Sequence, residues 1–309
     1  MAGSGAGARH RAPVRVEWPT VAVAAGVWGG WIGMLVIHDH LPWPVVVLGF
    51  AVLCGWYMSL QHEVLHGHFT PWWWLNDLIG GVPTHLWLPY AIYRETHLAH
   101  HEVALTVPGV DPESFYVTPE QWARAGRLRR AVWRANRTFA GRMLLGPAIG
   151  PPALVRSRIA RALHDRREAR TWVLHAAQVA VVCWVVFGVA HVPVWQYLLG
   201  YVYFGMSVTY VRSFVEHLAL PSPDQRTAVV RSNRFFGLLF LNNNLHVTHH
   251  ALPAAPWYRY RDLGESLGSE QIAAEGAGLY RGYLEVIRRF GVRSFDRPVT
   301  PLVDQVARG

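Results

Sequence analysis

The chain has 309 residues, of which 51% are hydrophobic and only 16% charged, and it contains 15 tryptophans. That balance excludes an ordinary water-soluble domain of this length and points to a membrane protein. All 29 basic residues are arginine, and the net charge is +9. Because the arginines follow the edges of apolar stretches, they read as a topological signal and an attraction to anionic lipid, and not as a nucleic-acid surface.

Residues 1–16 are small, Gly/Ala-rich and basic, without the cleavage pattern of a secretory signal. They are expected to form a disordered tail ahead of a single domain, 17–309. Four stretches approach the ~20 residues needed to cross ~30 Å of hydrocarbon: 19–37, 43–60, 171–191 and 194–211. Trp18, Trp43, Trp172 and Trp195 stand at their ends, where amphipathic rings prefer to lie. The linkers 38–42 and 192–193 are so short that the spans must pair as two hairpins. Arg9, Arg11 and Arg15 precede the first span, and Arg156, Arg158, Arg161, Arg166, Arg167 and Arg170 close the middle segment. The positive-inside rule then places both termini and that segment in the cytoplasm, with the protein multi-pass in the cell's inner membrane.

Residues 71–93 are also apolar but contain Asn76, Asp77, Gly80, Gly81, Pro83 and His85, which a spanning helix tolerates badly. They are expected to form a broken interfacial or re-entrant segment. The Gly/Pro-rich stretch 139–155 is expected to lie in the interface. Cys54 and Cys183 fall inside spans, so no disulfide framework or CxxC chemistry is indicated.

Three histidine clusters carry the chemistry: His62 with His66, then His97, His100 and His101, then His246, His249 and His250. Spacings of three and four place imidazoles on one helix face. The clusters lie just beyond the ends of spans two and four. Eight imidazoles exceed what one ion can use, so two metals are implied; imidazole alone does not choose among iron, zinc, copper and nickel. His38, His40, His85, His164, His175 and His191 have no cluster partner and read as hydrogen-bonded interfacial residues.

The order HxxxH, HxxHH, HxxHH on paired hairpins resembles the membrane fatty acid desaturase superfamily, whose relatives include alkane and carotenoid oxygenases. "HEVLHGH", "LNDLIG", "WLPYAIYRETHLAHH", "DPESFY", "NNNLHVTHH" and "PWYRY" are similar to its bacterial desaturase-like branch, which includes a desaturase of an amino-acid-like metabolite. The resemblance covers about residues 40–265. It implies an all-α integral membrane fold, with four transmembrane helices, interfacial helices and a cytoplasmic helical cap. It also implies a non-haem diiron centre that uses O2 to remove hydrogen from an unactivated C–H bond, with no separate catalytic acid or base. The implied metal ligands are His62, His66, His97, His100, His101, His246, His249 and His250, with His217 in "VRSFVEHLAL" as a ninth.

His68 is expected not to ligate, whereas Asn242 could reach the metals directly or through water. Glu63, Glu95, Glu102 and Glu216 accompany the clusters as candidates to orient the rings, with Arg212 as a partner for Glu216. The resemblance further implies the lipid bilayer, an acyl-type substrate and a separate ferredoxin- or rubredoxin-like electron donor as partners. Arg124, Arg127, Arg129, Arg130 and Arg134 could dock an acidic donor or carrier protein, or belong to a solvated or lipid-facing helix. Trp72, Trp73, Trp74, Trp87 and Tyr90 could line a substrate tunnel or serve as interfacial anchors. A hydroxylase or ketolase would use the same ligands. A histidine-rich metal transporter should instead carry its ligands near mid-membrane.

Overall fold

The computed structural model describes residues 15–306. The expected tail therefore lies outside the described residues except for its last two positions. Helix α1 (Trp18–Ile37) has Pro19 in its first turn, where no N–H donor is needed. A single 3-10 turn, His38–His40, leads into α2 (Trp43–Leu65), which Pro44 starts in the same way. The second span is thus longer than its apolar core 43–60 suggests, and it carries His62 in its own last turn.

The apolar segment 71–93 is broken, as expected. It contains α3 (Trp73–Gly80), an irregular stretch, and the start of α4 (Tyr90–Glu102). The bundle satisfies the polar backbone of this stretch. The Tyr57 hydroxyl donates to the carbonyls of Gly80 and Val82, and Gln61 Nε2 donates to Gly80 O at 2.7 Å. Tyr197 donates to Thr84 O at 2.8 Å, and Thr84 meets the Tyr201 hydroxyl at 2.9 Å. Irregular backbone at membrane depth is tolerable only when protein satisfies it in this way.

Short α5 (Pro119–Arg124) and α6 (Arg127–Ala135) follow, then α7 (Phe139–Ala162), one helix that keeps Pro147, Pro151 and Pro152 inside it. Helix α8 (Arg166–Cys183) is capped by Asp165, which accepts from the Arg167 and Glu168 amides; wider π-type turns extend it to Val189. The helical turns thus end two residues before 191, and His191 lies in left-handed backbone at φ 55°. Helices α9 (Val194–Tyr197) and α10 (Gly205–Ser213) are joined by π-type turns, Leu198–Phe204, into one rod. Helix α2 is its central partner. Two glycines set their close approach: a Cβ on Gly200 would lie 2.7 Å from Val47 O, and one on Gly205 2.4 Å from Cys54 Cβ.

Trp18–His40, Trp43–Leu65 and Arg166–Val189 are long and apolar enough to cross a membrane. Their outer faces expose Ile32, Val36, Leu48, Val173, Leu174, Val181 and Trp184, which suits hydrocarbon and not water. The fourth rod is diluted by Gln196, Tyr197, Tyr201 and Tyr203 and is less apolar. A core of Phe50, Cys54, Met58, Val186, Tyr197 and Met206 locks α2, α8 and the fourth rod together.

Past α10 the chain builds a cap. It contains β1 (Val229–Val230) and β2 (Leu279–Tyr280), paired in parallel with Val229 opposite Leu279. Around them lie α11 (Arg234–Leu239), α12 (His246–Ala251), α13 (Tyr260–Leu267), α14 (Ser269–Glu275) and α15 (Tyr283–Phe290). Phe214, Val230, Phe240, Tyr280, Tyr283 and Val286 form its core. Fully buried Arg226 ties the cap together by donating to the carbonyls of Leu105, Leu220 and Pro221 and to Gln305.

Candidate metal centre

Four pieces of chain converge where the bundle meets the cap. Helix α2 supplies His62, with His66 as its C-terminal cap residue. Helix α4 carries His97, His100 and His101, and α12 carries His246, His249 and His250. His217 follows α10 on an extended segment bridged to Thr227. The nine rings fall into two groups whose nitrogens lie within 4.8 Å of one another. One is His62, His66, His97, His101 and His249; the other is His100, His217, His246 and His250. The groups abut, since the His101 and His250 rings stack at 4.3 Å.

Within each group the Nε2 atoms point at each other. His97 to His101 is 3.2 Å, and His101 to His249 is 3.0 Å. His217 lies 3.1 Å from His100 and 3.0 Å from His246, and His246 lies 3.1 Å from His250. Two imidazoles bound at right angles to one ion at about 2.0–2.1 Å would stand roughly 3 Å apart. The spacing therefore fits shared ions.

The far side of several rings explains why lone pairs face inward. Nδ1–H of His100 donates to Asp111 at 2.7 Å, and that of His97 to Glu113 at 2.9 Å. His246 Nδ1 meets Asn243 at 3.2 Å, and His249 Nδ1 meets the Tyr260 hydroxyl at 2.9 Å. A proton held on Nδ1 leaves Nε2 as a ligand atom. Converging lone pairs repel unless a cation lies between them, so the donor set fits a pair of metal ions.

The electrostatics agree. Burial, reinforced by neighbouring imidazoles, holds His217, His246, His249 and His250 well below the usual histidine range, which keeps them neutral. The same causes lower His101 to about 2. Burial would lower His100 too, but Glu113 and Asp111 outweigh it and push the ring up to about 9. Carboxylates that draw a proton to this spot also draw a metal cation.

Several expected partners move. Glu216 does stand beside the site, 3.4 Å from His246 Nδ1, and Arg212 holds it at 2.6 Å as expected. Glu63 instead accepts from the Trp257 amide, Glu95 pairs with Arg158, and Glu102 is exposed. The rings are held instead by Asp111, Glu113 and Tyr260, which belong to the strings "DPESFY" and "PWYRY". Asn243, not Asn242, reaches the histidines: its Nδ2 lies 3.2 Å from His62 Nε2, while Asn242 donates to Trp257 O. Left-handed backbone at Leu241 and Asn242 turns the chain so that the next residue faces inward. His68 pairs with Glu17 at 2.8 Å and lies outside both groups.

The remaining single histidines also stay apart, with His175 on Leu86 O and His38 on Leu35 O. Trp72, Trp73 and Trp74 are more than half exposed and face outward. On α5 and α6, Arg124, Arg127, Arg129 and Arg134 are exposed. Arg130 and Arg134 lie over Trp122.

A membrane-compatible helix bundle capped by two groups of convergent imidazoles defines a histidine-rich metal-binding protein of the bilayer. The model of the family described as fatty acid desaturase matches residues 40–281, and the chain belongs to that family. It is therefore of an oxidoreductase family tied to lipid or acyl substrates and a membrane setting. No match was found among curated proteins.

Proposed function

We propose that the chain is an O2-dependent membrane desaturase with two iron ions. His62, His66, His97, His101 and His249 would hold one, and His100, His217, His246 and His250 the other. The observation that carries this is the division of nine converging rings into two adjacent groups. When bound, the iron pair would supply the oxidation that removes hydrogen from an unactivated C–H of an acyl chain or acyl-like lipid.

The protein's own work is positional. Asp111, Glu113, Asn243 and Tyr260 fix ring orientation and tautomer. Burial of His62, His66, His100, His246 and His249 keeps water away. The proposal includes four spans, both termini and the cap in the cytoplasm, the inner membrane as location, and a separate ferredoxin- or rubredoxin-like donor.

The test is metal and product analysis together. Protein purified from an iron-replete host should hold two irons per chain, and with a reductant it should convert an acyl substrate to an alkene. Stoichiometric zinc that supports the activity would overturn the iron assignment, and an alcohol as sole product would make the enzyme a hydroxylase.

A further inference from the structure

Away from the histidines, the cap presents large apolar side chains on its outside. On α11 these are Phe235 and Leu238, and on α15 Leu284 and Ile287, with Val292 in the turn that follows. Phe235, Leu284 and Val292 are 58%, 58% and 87% exposed. Each helical pair is three apart and so shares one side of its helix, while Leu239, Phe240, Tyr283 and Val286 turn into the cap's core. The two helices are neighbours, since the Phe236 and Tyr283 rings lie 4.8 Å apart. A single exposed apolar residue is ordinary, but a group on adjoining helices marks a contact surface.

Depth says what covers it. The cap's core does not stop where the spans end: Val52 and Trp56 of α2 and Val208 and Val211 of the fourth rod pack against it. Val52 is nine residues past Trp43, about 14 Å along the helix. With Trp43 at the far edge, that is roughly the middle of the ~30 Å hydrocarbon layer. Helix α11 touches α2 directly, so its exposed residues continue the lipid-facing surface of the bundle. The charges agree. Arg231 and Arg289 are paired with Glu270 and Glu285, whereas exposed Arg234, Arg288 and Arg293 make no ion pair among the described residues. Apolar side chains edged by unpaired arginines suit an interface, with acyl chains below and phosphates beside them. We propose that α11 and α15 seat the cap in the leaflet it stands on, with Arg234, Arg288 and Arg293 on anionic phospholipid headgroups. None of the nine histidines takes part, so the seat stands whatever metal they hold.

The test uses the purified full chain in nanodiscs of phosphatidylcholine and phosphatidylglycerol. Nitroxides on Phe235→Cys and Ile287→Cys, each in a Cys183→Ser background, report depth through collisions with O2 and with a water-soluble nickel chelate. Both positions are already exposed and Cys54 is buried, and thermal melting checks that the variants fold. Both nitroxides should meet O2 more than nickel, whereas one on Glu265→Cys, exposed on α13, should meet mostly nickel. Diazirine-bearing lipids then read the headgroup. At equal amounts, phosphatidylglycerol should label residues 234–238 and 284–293 at least about fivefold more than phosphatidylcholine, the value of one arginine at an anionic surface. Replacing Arg234, Arg288 and Arg293 together by glutamine should remove that preference and leave the label in place. Nickel access at 235 and 287 equal to that at 265, or equal labelling by the two lipids, would overturn the proposal. So would a dimer in detergent that shields both nitroxides, because a second copy would then own the face.

Discussion

The two histidine groups are not equivalent. The five-membered group takes His62 and His66 from α2, a helix long enough to span and packed against α1, α3 and α10. The four-membered group has no ligand on a candidate span: His100 is on α4, His217 on an extended segment, and His246 and His250 on the six-residue α12. One group is braced by the bundle, and the other depends on loops and the cap. Their supports differ only in part, since His97 of the first group also leans on a carboxylate, Glu113, at 2.9 Å. His100 leans on an Asp111 that is 4% exposed and also accepts from the amides of Thr106 at 2.7 Å and Glu113 at 2.9 Å. His249 leans on a neutral tyrosine. A site can therefore be built half on rigid helices and half on loops, with one buried carboxylate cross-linking the loop half.

The largest expected effect tests that contrast directly. His66→Ala and His250→Ala should both abolish turnover while the protein stays in the membrane. The four-membered group has no spare ligand, so His250→Ala should lose its metal more completely than His66→Ala, as read by metal analysis. Equal loss from both would remove the asymmetry.

Next come the carboxylates. Asp111→Asn should weaken metal binding about 10–100-fold, the range for removing a partner behind a ligating histidine. Glu113→Gln, whose carboxyl is partly exposed and holds one ring, should cost less. Competition against a chromophoric chelator ranks the two. Tyr260→Phe removes one neutral hydrogen bond, worth about 1 kcal/mol or roughly fivefold in affinity. At the bottom, His40→Ala should leave metal content and turnover unchanged, because that side chain is 79% exposed and lies outside both groups.

The clustered histidines that converge are legible because spacing within a helix carries them: three and four residues apart is a local property that survives without tertiary knowledge. His217 was legible only through family resemblance, since it stands alone on an extended segment. Apart from Glu216, which does meet His246, the ring-orienting partners are not legible, because sequence proximity is a poor guide to which acid meets a ring. Glu95 and Glu102 sit beside the cluster yet project away from it. Asp111 returns to His100 across eleven positions, through a loop with left-handed backbone at Thr106 and Gly109. The same kind of turn at Leu241 and Asn242 moved the useful asparagine by one position. Span limits drifted for a simpler reason. Hydropathy marks where a helix is apolar, whereas caps and the polar turns beyond it mark where it ends, as Asp165 and the continuation of α2 to Leu65 illustrate.

Helix α12 has six residues, three of which are histidines in the two groups. Isolated helices shorter than about 12–15 residues are marginal in water, and uncompensated imidazoles crowded together resist packing. Metal uptake should therefore also tighten folding, with ligand binding energy added to the cap's own apolar core. Biogenesis acquires an order from this: the apolar helices can enter the bilayer first, and the cap closes when metal arrives. A cell short of metal should accumulate inserted chains with protease-sensitive caps, so that metal supply sets the lifetime of the protein as well as its activity.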